Sequence, residues 1–83
     1  MLLVHRAARI ERIVSFGHST EWYDQDEDEW VAVLAGHAEL EFDDGTRRRL
    51  IPGDHVYLPA HLRHRVASTS TTEPTIWLAV FTS

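Results

Sequence analysis

The residues best suited to chemistry lie in two short stretches. The first is Asp24-Gln25-Asp26-Glu27-Asp28-Glu29, five carboxylates around one amide. Oxygen donors at alternate positions are how calcium loops are built, and Asp24, Asp26 and Asp28 match the first three ligand positions of an EF-hand. The sixth position, where the loop needs Gly, is Glu29, and the twelfth, where a bidentate Glu closes the cage, is Ala35. The run therefore reads as a solvated acidic loop. The second stretch is His61-Leu62-Arg63-His64, whose two imidazoles can approach one ion if the segment curls, while His61 also reads as structural or solvent-facing. His5, His18, His37 and His55 have no partner at ligand-like spacing. The sequence contains no Ser nucleophile motif, Gly-rich phosphate loop or His-Glu-x-x-His zinc helix. With no Cys, thiolate metal sites, cysteine nucleophiles and redox pairs are excluded too.

The elements that position these groups must come from one small core, because 83 residues leave no room for a second domain. A chain this short buries only about 60% of its unfolded surface, and disulfides, a metal or a partner subunit usually supply the missing stability. Disulfides are excluded, which leaves metal binding or self-association. Hydrophobic residues at 43% and charged residues at 25% are globular proportions. The longest apolar run, Val31–Ala35, cannot cross a bilayer, so no membrane association is expected. A net charge of −5 argues against nucleic acid as a partner. Met1–Val4 is followed at once by Arg6, Arg9 and Arg12, too short for a signal-peptide core, and the expected location is cytoplasmic.

Strand signals dominate the patterning. Arg9–Ser15 fits a helical face about as well as a strand. Trp30–Ala35 is a compact Val-rich run ended by Gly36, and Ala38, Leu40 and Phe42 alternate with His37, Glu39, Glu41 and Asp43. Asp43-Asp44-Gly45 predicts a three-residue hairpin loop. In that register Glu41 faces Arg47 and Glu39 faces Arg49, so the basic run Arg47–Arg49 reads as cross-strand charge pairing, worth about 0.2–1 kcal/mol per pair. Ile51-Pro52-Gly53-Asp54 has the residues of a type II turn. Strands are expected at His55–Leu58, Arg63–Ala67 and Thr75–Phe81, with Ser68–Thr72 and Pro74 in a polar loop. Trp77, which alternates with Thr75, Ala79 and Phe81 on the last strand, reads as a packing residue. Six or seven short strands at this spacing predict an all-β sandwich or barrel, and an edge strand in so small a domain favours a homodimer.

Two stretches resemble the signature motifs of the cupin superfamily. The second motif has Gly, five residues, Pro, a variable residue, often Gly, two more, and a metal-binding His. Here stand Gly53, Pro59, His61 in place of the second Gly, and His64, with Ser68 where the motif ends in Asn. The first motif has His-x-His, a short spacer, Glu, six residues and Gly. Glu29 and Gly36 match, but the His pair falls on Tyr23 and Gln25, or on Trp22 and Asp24. The resemblance covers Glu21 to Phe81 and implies a small double-stranded β-helix, the jelly-roll barrel of RmlC-like proteins, with residues 1–83 as one domain and residues 1–8 either flexible or swapped into a partner.

The resemblance further implies a small-molecule pocket in the barrel formed by Tyr23, Gln25, Glu29 and His64. Gln25, Glu29 and His64 would be the ligands of one divalent ion (Mn, Fe, Ni or Zn), or the pocket holds no ion and the same groups hydrogen-bond within it. Without metal, Glu29 and His64 would form an acid–base pair, the carboxyl of a buried Glu being one whose pKa desolvation can raise. Trp22, Tyr23 and Trp30 surround this site as core or interface residues, or as a platform for a ring. The functional expectation is a cupin of unassigned reaction acting on a small ligand. The alternatives are a non-catalytic ligand-binding or sensing module without metal, and a purely structural dimerisation module.

Overall fold

Strict alternation along Thr75–Thr82 decides where the core lies. Thr75, Trp77, Ala79 and Phe81 are buried, while Ile76, Leu78 and Val80 on the opposite face are half-buried. The computed structural model describes Leu3–Val4 by backbone and Ala8–Thr82 in full. Its strands are β1 (Leu3–Val4), β2 (Ala8–Ser15), β3 (Asp28–Ala35), β4 (Ala38–Phe42), β5 (Arg47–Leu50), β6 (His55–Leu58), β7 (His64–Thr69) and β8 (Thr75–Thr82). They form a five-stranded sheet ordered β1-β2-β8-β3-β6 and a three-stranded sheet ordered β5-β4-β7. The two sheets enclose Val31, Val33, Leu40, Leu50, Leu58 and Trp77. Part of the expectation for residues 1–8 lies outside the described residues; Leu3 and Val4 pair with Ile10 and Arg9 of the same chain.

Pairing settles what local pattern left open. Residues 8–15 are extended because every one of them is in register with β8, from Ala8 opposite Thr82 to Ser15 opposite Thr75. The hairpin forms as its residues predict: Phe42 and Thr46 close a three-residue loop, and Glu39 and Glu41 stand opposite Arg49 and Arg47. The ion pairs follow the register only in part. Arg47 lies 3.5 Å from Glu41 opposite it and also reaches diagonally to Glu39 at 2.7 Å, and Glu41 accepts from Arg65 of β7 at 2.6 Å, because β4 has a neighbour on each side. The Asp54 N–H donates to the Ile51 carbonyl, and Gly53 at φ +94° supplies the type II turn. β7 runs on to Thr69, two residues beyond its expected end, because Ser68 and Thr69 pair with Glu39 and Ala38 of β4, while loop 17–20 is hydrogen-bonded along its other side. Tyr23 and Gln25 lie in an irregular extended segment rather than a strand, with one bridge from Tyr23 to His64. Glu29 lies inside β3, opposite Leu58 and Phe81.

The outer face of the larger sheet carries apolar side chains as well. The registers set Ile10, Val80, Trp30 and Tyr57 in one row across four strands, Arg12, Leu78, Ala32 and His55 in the next, and Val14 beside Ile76 two rows on. Val14 and Tyr57 are 53% and 57% exposed. A strand apolar on both faces, as β8 is, usually lies between two layers.

Candidate functional site

A cavity of about 490 Å³ opens between the two sheets on the side of β2 and β7. Its wall carries Tyr23, Gln25, Glu29 and His64, so the structure brings the four expected ligand-binding residues together. Glu29 points inward because it shares the face of Val31 and Val33 on β3, and His64 opens β7 beside the Tyr23 bridge. Their side chains are only 12% and 5% exposed. The His64 Nδ1 lies 2.8 Å from the Leu62 carbonyl, which can only accept, so Nδ1 carries a proton and Nε2 faces Glu29 Oε1 at 3.9 Å. The Gln25 amide donates to the same Glu29 oxygen at 3.0 Å, and the Tyr23 ring tilts over the imidazole at 5.6 Å. Burial pushes the Glu29 carboxyl above its ordinary range, against the Gln25 hydrogen bond and the nearby His64, which hold it down.

The acidic stretch beside the site is solvated at Asp24 and Asp26, as expected, and pinned at Glu27 and Asp28. Arg9 Nη1 donates to both oxygens of Glu27, at 2.5 and 2.6 Å, and Arg9 also lies 4.1 Å over the Phe81 ring. Asp28 accepts the Ala60 N–H at 2.7 Å. His61, at φ +64°, holds Asp24 at 2.8 Å and lies 3.5 Å from Asp26. Its hydrogen bond to Asp24 raises its pKa, and it turns away from His64 to face solvent. Trp22 lies outside the cavity wall, near Arg63 and Arg65, and Trp30 is on the outer sheet face.

The sequence profile of the cupin domain family matches residues 13–81. This chain belongs to the cupin family. Among solved cupin-like structures, one from Ralstonia eutropha JMP134, provisionally assigned as a mannose-6-phosphate isomerase, is 45% identical with a TM-score of 0.94. It covers 99% of this chain and 80% of its own. A cupin 2 conserved barrel domain protein from Salinispora arenicola CNS-205 is 33% identical with a TM-score of 0.79, over 96% of this chain and 66% of its own. The DMSP lyase DddQ from Ruegeria pomeroyi DSS-3 shares the fold, at 24% identity and a TM-score of 0.82, over 95% of this cupin and 40% of its own length. No curated protein matches the chain.

The groups at this cupin's site do not fit a divalent ion. Among the described residues no three His, Asp or Glu side chains converge on one point. Gln25 turns its amide N–H toward Glu29, leaving one carboxylate and one imidazole where catalytic metal sites use about three protein ligands. What the pair can do is share a proton. A ligand oxygen can sit about 2.8 Å from both Glu29 Oε1 and His64 Nε2, because atoms 3.9 Å apart leave room for one bridging atom. Sequence reasoning missed the other end of the cavity, where Ser15, His18 and Thr20 join Trp77 and Val66 on the wall. Those polar residues carry no motif, and only the docking of loop 17–20 on β7 brings them there.

Proposed function

We propose that this cupin binds a small, uncharged, largely apolar molecule inside its barrel and handles a proton at one of the ligand's oxygens through Glu29 and His64. The carrying observation is the buried pair itself, 3.9 Å apart in a cavity large enough for a ring compound. With Glu29 protonated, its O–H donates to the ligand oxygen while a ligand hydroxyl donates to His64 Nε2. Moving each proton one step along gives the alternative state, ionised Glu29 and protonated His64, with no change in total charge. Tyr23 and Gln25 hold the two partners in place.

Charge supports an unphosphorylated ligand. Arg9 is the single Arg or Lys on the cavity wall among the described residues, and it is engaged by Glu27 and Glu11. The phosphosugar isomerase assignment of the Ralstonia protein is therefore unsupported as a guide to this site. Calorimetric titration with biphenyl bearing a terminal hydroxyl should give a micromolar to millimolar Kd, and the corresponding phosphate ester should bind at least about tenfold more weakly. No binding of the hydroxyl compound, or tighter binding of the ester, would overturn this reading.

Self-association through the outer face of the larger sheet belongs to the same proposal. Four strands at about 3.3 Å per residue and about 4.8 Å spacing present on the order of 500 Å² in projection. The accessible area is larger and approaches the roughly 800 Å² per partner of a stable interface. The row Ile10, Val80, Trp30 and Tyr57 supplies its apolar centre, and a second copy carries the same row. Light scattering should return twice the chain mass, and Tyr57→Glu should return it to one. A monomer at tens of micromolar would exclude the dimer.

A further inference from the structure

The cavity has a second polar end, and we propose that His18, with Ser15, is its hydrogen-bond-donating subsite for an acceptor oxygen at the far end of an elongated ligand. This rests on the pocket reading above and adds the ligand's length and its second polar group.

Loop 17–20 is held on β7 by direct bonds. Gly17 N–H donates to the Ser70 carbonyl, His18 N–H to Thr69 Oγ1, and Thr20 N–H to the Val66 carbonyl. In return the Thr69 hydroxyl donates to the His18 carbonyl and the Val66 N–H to Thr20 Oγ1. The Phe16 N–H donates to His18 Nδ1 at 2.9 Å. That bond makes Nδ1 an acceptor, so in the neutral ring Nε2 bears the hydrogen, and on this exposed residue at the cavity edge it has no protein partner among the described residues. Ser15 Oγ accepts from the Trp77 indole at 3.3 Å, which leaves its own O–H to give. Both groups line the cavity, and both are donors. Thr20 is already satisfied, because its hydroxyl donates to the Glu21 carbonyl.

The separation of the two ends follows from register. Tyr23 bridges His64, Thr20 bonds Val66 and His18 bonds Thr69, so the loop runs alongside β7. From position 64 to position 69 a strand advances on the order of 15 Å. A rigid two-ring molecule with a hydrogen bond at each terminus has about that reach. Between the ends the wall is apolar, with Val31, Leu40, Val66 and Trp77. The ligand class is therefore a neutral, rod-like, mostly apolar molecule with a proton-exchanging hydroxyl at one end and a carbonyl or ether oxygen at the other.

The test uses two biphenyls that share a hydroxyl at one terminus and carry either an acetyl or an ethyl group at the other, titrated by calorimetry against the full chain. They differ by one acceptor oxygen. The acetyl compound should bind about tenfold more tightly. The ratio should fall to about one in His18→Ala while the ethyl compound keeps its affinity within about threefold, which shows an intact pocket. His18→Asn, which can both accept from Phe16 and donate to the ligand, should restore much of the preference. If both compounds bind the wild type equally, or the ratio survives in His18→Ala, the subsite is wrong and the pocket stands. If neither compound binds the wild type, the pocket reading falls and the subsite with it.

Discussion

Gly36→Ala should leave the chain insoluble or lower its melting temperature by more than about 10 °C. Gly36 joins β3 to β4 at φ +77°, and a Cβ built there would lie 2.6 Å from the Thr75 Cα, 2.6 Å from its Oγ1 and 2.7 Å from the Pro74 carbonyl oxygen. Two of those atoms are backbone, held by β8 and by the bond from the Thr75 hydroxyl to the His37 carbonyl, so they cannot rotate away. A left-handed Ala costs about 1–2 kcal/mol, and overpacking a rigid site about 1–3 kcal/mol more. For a domain of this size each kcal/mol is about 4–8 °C. Gly53→Ala separates the two contributions, because Gly53 also has a positive φ, +94°, but nothing within 4 Å of a built Cβ. It should lose only the conformational part. Thermal unfolding followed by circular dichroism reads both, and equal melting temperatures for the two variants would refute the steric account.

Glu29→Gln should stabilise the folded chain at neutral pH while weakening ligand binding. Burial raises the Glu29 pKa in the fold above its ordinary 4.5. The folded state therefore binds more protons than the unfolded chain between those two values, and stability falls as pH rises through that window. The contribution is fully present below the ordinary carboxyl pKa and lost above the raised one. Gln removes it, so variant and wild type should have similar stability in acid, and the variant should gain about 1 kcal/mol at pH 7–8. Gln25, His64, Arg9 and Glu11 set the size of the shift, with Glu11 alone adding to the effect of burial. The hydroxyl-bearing biphenyl should bind about tenfold more weakly to the variant, since the amide cannot take up or release the shared proton. Denaturant melts from pH 4 to 8 together with that titration check both halves. Identical pH–stability curves for the two proteins would remove Glu29 from the acid–base role.

The opposed signs have one cause. A carboxyl buried beside an imidazole is poised to exchange a proton because its charged form is disfavoured there, and the same disfavour is a loss of stability at neutral pH. Residues chosen for packing show no such conflict: Leu40, Leu50 and Leu58 are fully buried and lose stability with any truncation.

Local chemistry was sufficient for much of this cupin. The Asp43–Gly45 loop, the Pro52-Gly53 turn, the alternation of β8 and the placement of His64 in the second motif were all legible, because each depends on residues close in sequence whose backbone preferences or periodicity agree. The extended state of residues 8–15 was not, since a three-apolar pattern satisfies two periods and only pairing with β8, sixty or more positions away, chooses between them. The second partner of Glu41, Arg65, depended on β7 arriving beside β4. Tyr23, Gln25, Glu29 and His64 could be named from motif spacing, but whether Glu29 and His64 share one face depended on β3 and β7 belonging to different sheets across one cavity. His18 could not be named at all. Its ring reaches the wall through bonds to Thr69, and a contact across so long a loop leaves no periodic or local trace in the chain, because it is made by the sheet packing that the whole sequence has to complete first.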